Sequence, residues 1–340
     1  MATSRATTQK GMAVALLAVA LLFICGCARA SHQIEIVYIP KSIGIPYFGR
    51  VIQGFADGCA KLGCKFSTVG PATADATSQL PYVVAQIQRG VSVIAITPNS
   101  IDALNRVFDH ARRRGIRIII VNADITGFET HRDAAVLPVD FARVGPDQVE
   151  LMARLMGGSG DFAILSATTD APDQNRWIAD IKRMLAREPR LAALHLVKVA
   201  YGDDEPEKSA TETEALLSNF PDLKGLLSPT AVGLPAAARV IVTRRAAGRV
   251  HVTGLGTPDQ MRSYVESGAV KAFQLWDPYE QGLAAAYLAD GMVRGKLAVA
   301  PGASFAVPGL GNLRIGEKDT VLVREDMLTF TSSNIARYRF

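Results

Sequence analysis

The chain has 340 residues, 49% of them hydrophobic, and a formal net charge of +5 carried more by Arg than by Lys. That is material for about two domains of ordinary size. The charge is modest, and helix-turn-helix, zinc-ligand and aromatic-basic patterns are missing, which excludes a nucleic-acid binder; the densest basic cluster, Arg112, Arg113 and Arg114, reads as a solvated helix end.

The N-terminus reads as a targeting segment, residues 1–30. Arg5 and Lys10 flank the start of an apolar run of 13 residues, 12–24, which is too short to span a bilayer comfortably. Two processing signals follow. Ile24-Cys25-Gly26-Cys27 resembles a bacterial lipobox, which would leave Cys27 acylated, and Ala28-Arg29-Ala30 is an ordinary cleavage site before Ser31. Either one implies an exported protein in the periplasm or cell envelope, with the membrane touched only through an acyl anchor. No later stretch is long and apolar enough for a transmembrane helix. Beyond the signal only Cys59 and Cys64 remain. They flank a helix-to-strand turn and read as two buried thiols, not a metal site, since no His lies near them in sequence.

From residue 34 strands and helices alternate. Short Val- and Ile-rich strands are expected at 34–39, 65–69, 93–97 and 116–121, with helices at 47–62, 78–89 and 101–114 between them. Gly63, Gly90 and Gly115 stand where helix C-caps want a left-handed residue. A second set follows Pro138. Its strands are 162–165, 194–200, 225–227, 251–254 and 270–275; its helices are 144–156, 175–187, 208–219, 235–245, 258–267 and 279–294. This repeat predicts an α/β protein of two doubly wound parallel-sheet lobes joined by a hinge. The tail, 300–340, breaks the pattern with Pro and Gly and reads as an addition packed on one lobe.

The stretch GDFAILSATTDAPDQNRW, 160–177, is the most informative. A buried strand runs into a polar turn that holds Asp170, Asp173 and Gln174, and a helix follows. Ligands of open α/β sheets bind beyond the carboxyl ends of strands, where helix N-termini also point. Short polar side chains there suit a polyhydroxylated ligand, because each carboxylate or amide can bridge two hydroxyls. The plainer alternative is that Asp170 or Asp173 only caps the helix. Catalysis finds no support. The loop after the first strand is PKSIGIP instead of G-x-G-x-x-G, no Walker or G-x-S-x-G sequence occurs, and the five His residues are scattered. No cofactor, metal or catalytic residue is expected.

The opening IPKSIGIPYFGRVIQGFADGCAKLG, then ITPNSIDAL, RRRGIRIIIVNAD and VTGLGTPDQMRSYVESGAVKAFQLWDPYEQG, resemble the type I periplasmic binding proteins of sugar ABC transporters over essentially the whole mature chain. These segments, with YGDDEPEKS, are similar to the rhamnose-binding and autoinducer-2-binding branch of that ribose-binding-like superfamily. The resemblance implies lobes of 33–138 plus 277–303 and of 139–276 plus 304–340. It implies a ligand held by Lys41, Asp173, Gln174, Pro229 and Ala231, an aromatic wall from Tyr47 or Phe48, and a contribution from Trp276-Asp277 at the end of the last strand of the second lobe. Many sugar binders carry Asp after the fourth strand. Here Asn122 takes that place, with Asp124 two residues on, so a neutral amide replaces a charge-assisted acceptor. The expected role is capture of a small sugar-like ligand, a rhamnose-like deoxy sugar or autoinducer-2, for delivery to an ABC permease. The alternative on the same scaffold is a receptor that presents its ligand to a membrane histidine kinase or chemoreceptor.

Overall fold

The computed structural model describes residues 33–340. The Cys27 and signal readings fall outside the described residues. In chain order the first half comprises β1 (Glu35–Ile39), α1 (Pro46–Leu62), β2 (Lys65–Thr68), α2 (Leu80–Arg89), β3 (Val93–Ile96), α3 (Asn105–Arg113), β4 (Arg117–Val121) and β5 (Ala134–Leu137). The second comprises α4 (Phe141–Met156), β6 (Gly160–Ser166), α5 (Pro172–Arg187), β7 (Leu194–Tyr201), α6 (Pro206–Asn219), β8 (Gly225–Ser228), α7 (Gly233–Thr243), β9 (His251–Gly254), α8 (Pro258–Glu266) and β10 (Phe273–Leu275). Then come α9 (Pro278–Val293), β11 (Ser304–Val307), β12 (Gly311–Arg314), β13 (Thr320–Leu322) and β14 (Leu328–Phe330).

The strands form a six-stranded parallel sheet in the order β13-β5-β4-β3-β1-β2 and a four-stranded parallel sheet in the order β7-β6-β8-β9. Their β-α connections put every parallel strand's carboxyl end at one edge of its sheet, the edge where ligands bind in such folds. The central strands are buried on both faces, as their unbroken Ile and Val runs require.

Two elements differ from the sequence expectation. The strand β5, AAVL before Pro138, is short and opens on two alanines, which are depleted in strands, so its place beside β4 and β13 decides it. The tail, 304–340, expected wholly with the second lobe, divides instead. Its strand β13 pairs in parallel with β5 at the edge of the six-stranded sheet, whereas β14 pairs antiparallel with β10. The chain therefore passes between the two sheet systems near 138–140, 276–277 and 323–327.

The helices α1 and α9, which both start beside the cleft, pack almost backbone to backbone. A methyl at Gly54 would stand 2.1 Å from the Tyr279 carbonyl oxygen, and one at Gly282 would stand 2.1 Å from that of Val51. Main-chain atoms cannot swing aside, so Gly282→Ala should lower unfolding stability by about 1–3 kcal/mol, read from urea denaturation. At the far end of α1, Gly63 adopts the left-handed conformation and the Cys64 amide donates to the Cys59 carbonyl at 3.1 Å. Cys59 and Cys64 are the buried thiols at this cap.

Candidate functional site

Lys41 follows β1 in a backbone pinned by buried amides. Gln79 donates to the Pro40 carbonyl at 2.9 Å and to the Thr97 carbonyl at 2.7 Å, and Asn99 donates to the Lys41 carbonyl at 2.9 Å. The side chain, 4% exposed, points from the first sheet to the second. Its Nζ donates to Gln174 Oε1 at 2.9 Å and lies 3.6 Å from carboxylate oxygens of both Asp173 and Asp204. Asp173 and Gln174 belong to the first turn of α5, which starts three residues earlier than its apolar pattern suggests because Pro172 suits the N1 position. Ala171, not an Asp, is the N-cap of α5; Asp173 stands inside the first turn, where its carboxylate meets the amides of Asp173 and Gln174 as well as Lys41. Asp170, expected in the same polar turn, is exposed.

Burial would strip the charge from Lys41, but Asp173 and Asp204 outweigh it and hold the ammonium above its ordinary value. Burial also pushes the Asp173 carboxyl up; Lys41 pulls it down, Asp204 pushes it further up, and the balance is upward. One cation thus faces two carboxylates. Asp173 Oδ1 accepts no hydrogen bond from the described residues.

Gln174 Nε2 donates to the Pro229 carbonyl at 3.2 Å, the one backbone polar group a proline retains. Thr230 donates to Asp204 and accepts from the Val232 amide. Asp204 reaches this position because its backbone is left-handed, φ 54°, after Asp203 at φ 55°. Asn122 is left-handed too, φ 71°, a conformation that Asn and Asp tolerate best among non-glycine residues. Its Oδ1 accepts from the Tyr47 hydroxyl and, at 3.3 Å, from Gln281, which leaves its amide nitrogen to donate. Tyr47 Oη in turn accepts from Trp276 Nε1 and Gln281 Nε2, both at 2.6 Å. Burial raises the Tyr47 phenol well above its usual range, so it stays a neutral donor.

These groups line a cleft pocket with about 420 Å³ of empty space, the open space at its mouth included. Lys41, Tyr47, Phe48, Asn122, Asp173, Gln174, Pro229, Ala231 and Trp276 all line it. Tyr47 and Trp276 meet edge to face at 6.3 Å, as do Trp177 and Trp276. Asp277 does not line it. Its carboxylate accepts from the Tyr279 amide as the N-cap of α9 and pairs with Arg50 at 3.2 Å, so one step along the chain turns it away from the pocket. Asp124 cannot stand in for an acid at position 122, because it is held by two 2.7 Å hydrogen bonds from buried Arg132.

Sequence reasoning missed Asp204 and Trp177 as pocket residues, along with the aliphatic lining of Ile45, Val232, Leu255 and Leu275. The signal for Asp204 was the acidic pair in YGDDEPEKS, which precedes a helix whose N1 is Pro206.

Residues 36–297 match the periplasmic binding protein domain family. A solved ABC transporter solute-binding protein from Clostridium phytofermentas with bound L-rhamnose is 30% identical, with a TM-score of 0.86 over 90% of this chain and 98% of that one. A solved sugar ABC transporter protein from Actinomyces odontolyticus is 34% identical, with a TM-score of 0.72 over 92% and 99%. The xylitol-binding protein of Mycolicibacterium smegmatis is 25% identical over 65% of this chain, and the match spans 62% of that protein's length. The chain therefore belongs to the periplasmic binding proteins, an extracytoplasmic family of sugar-binding, non-enzymatic transport proteins with the two-lobed type I fold.

Proposed function

We propose that the chain captures a small neutral polyol of the deoxy-sugar kind, with L-rhamnose or an autoinducer-2-like molecule as the reference ligands, and delivers it to an ABC permease. The reading rests above all on one observation: Lys41 from the first sheet meets Gln174, Asp173 and Asp204 from the second at the carboxyl edges of both. Hydroxyls would bridge the Asp173 carboxylate and the Asn122 amide, while the aromatic and aliphatic walls would take the C–H face and the methyl group. The lobes proposed are 33–138 with 277–303, now joined by 320–322, and 139–276 with the C-terminal segment. Export through the N-terminal signal, with Cys27 acylation as one route, belongs to the same reading. Closure would favour the ligand only through contacts that the open form lacks.

A thermal-shift screen over L-rhamnose, other deoxy sugars, pentoses, xylitol and autoinducer-2 tests it. A ligand at about one hundred times its Kd should add about 2.7 kcal/mol to stability. No response to any of them would sink the proposal.

A further inference from the structure

We infer that the base of the first sheet docks on anionic phospholipid headgroups at the membrane surface. The juxtaposition that carries this is a cluster of basic helix ends at the edge where the described chain begins. The strands β1, β2, β3 and β4 all start at this edge, and the helices α1, α2, α3 and α9 all end there. Arg294, just past α9, donates to the Leu62 carbonyl at the end of α1, and a polar groove lined by Ser92, Arg114, Arg117 and Met292 opens between the strand starts.

Nine cations gather here: Lys61, Lys65, Arg89, Arg112, Arg113, Arg114, Arg117, Arg294 and Lys296. Three acids oppose them. Glu35 pairs with Lys65 and Arg89, Asp133 with Arg112 and Arg117, and Asp290 with Arg294. Lys61, Arg113, Arg114 and Lys296 are exposed and have no ion pair among the described residues. At the far margin, ahead of β5 and β13, lie Glu129, Glu317 and Asp319 with Lys318, which pairs with Glu129. The edge stays positive with these counted.

Cations at helix C-termini complement the helix dipoles, and each alone needs no other account. Their sum does. Of the 37 basic residues Arg5, Lys10 and Arg29 precede residue 33, and no acidic residue does, so residues 33–340 carry only +2. Nine cations against three acids make this patch +6, or +4 with the margin counted, which leaves the remainder of those residues at −4 or −2. The molecule is electrically polarised, positive at the edge where β1 enters. Cys27 lies seven residues before Ile34, so an acylated Cys27 would keep that edge within about 25 Å of the bilayer. Basic residues near an anionic surface attract it over about one Debye length, ~8 Å at physiological salt.

The test is cosedimentation of the exported full-length protein carrying Cys27→Ser, so that no acyl chain contributes, with vesicles of phosphatidylcholine alone or mixed with phosphatidylglycerol. Binding should need phosphatidylglycerol and fall as salt rises. Arg113→Glu/Arg114→Glu/Lys296→Glu should weaken it by about tenfold or more, while Lys182→Glu/Arg187→Glu/Lys198→Glu, on the second sheet's side, should leave it unchanged. Melting temperature checks the fold of each variant, and the corresponding Gln triple replaces the Glu triple if that one unfolds. Equal binding to both vesicle types, no binding at low salt, or equal loss in the two triple variants would overturn the inference.

Discussion

Lys41→Met is expected to lower ligand affinity by at least about a hundredfold at pH 7, with little change in the melting temperature of the free protein. Removing one partner of a buried ionic cluster typically costs about 3–5 kcal/mol, because the other charge is left buried and unpaired, and about 1.4 kcal/mol is a decade of affinity. Here the bare charges would be Asp173 and Asp204. An open cleft would hydrate both carboxylates, so the cost falls on closure and not on folding. The sign of the pH effect follows. Without Lys41 the Asp173 carboxyl, already above its ordinary value, rises further, since the lysine is what pulls it down. The closed form then holds a proton that the open form releases, so acid favours closure, and the lost affinity should partly return as pH falls toward the carboxylate range. In the wild type the Lys41 contribution should hold across neutral pH and fade only in strong alkali, because its folded value lies above the ordinary one. Calorimetric titration at pH 7 and about pH 5 decides it; equal affinity in wild type and Lys41→Met would remove Lys41 from the site.

Asp173→Ala should weaken binding by about tenfold or more, since charge-assisted hydrogen bonds to a buried carboxylate contribute about 1.5–3 kcal/mol each. Its Oδ1 is buried, lies 3.6 Å from Lys41 Nζ and accepts no hydrogen bond within 3.5 Å from the described residues, so it has room to accept one from a ligand hydroxyl. The fold should survive, as the change removes no core volume. Asp170→Ala is the control, because that carboxylate is exposed and, among the described residues, bonds only Thr169. If the control weakens binding and Asp173→Ala does not, the polar turn is read in the wrong register.

The central strands were legible because burial on two faces forces unbroken apolar runs, as in Val93–Ile96 and residues 118–121. The strand at Ala134–Leu137 was not, since four small or branched residues before a proline announce nothing until β4 and β13 flank them. Nor could a local pattern show that Thr320–Leu322 returns to the first sheet, a pairing across nearly two hundred residues. In the pocket, Asp173 and Gln174 were legible as short polar groups in the turn after a buried strand, whereas Lys41 and Pro229 came through resemblance to a family. Asp204 depends on two successive left-handed residues that are not glycine, a conformation propensity argues against. Asp277 was misread because a carboxylate after a strand serves a ligand or caps the next helix according to the turn of one backbone unit.

The aromatic wall gives the protein a built-in optical reporter. Its two tryptophans, Trp177 and Trp276, both line the pocket, so no indole elsewhere dilutes their emission. Trp276 donates its N–H to Tyr47, whereas the Trp177 N–H has no partner among the described residues. The two chromophores therefore sense different surroundings within one site, and occupancy can be followed by unlabelled fluorescence in stopped-flow mixing.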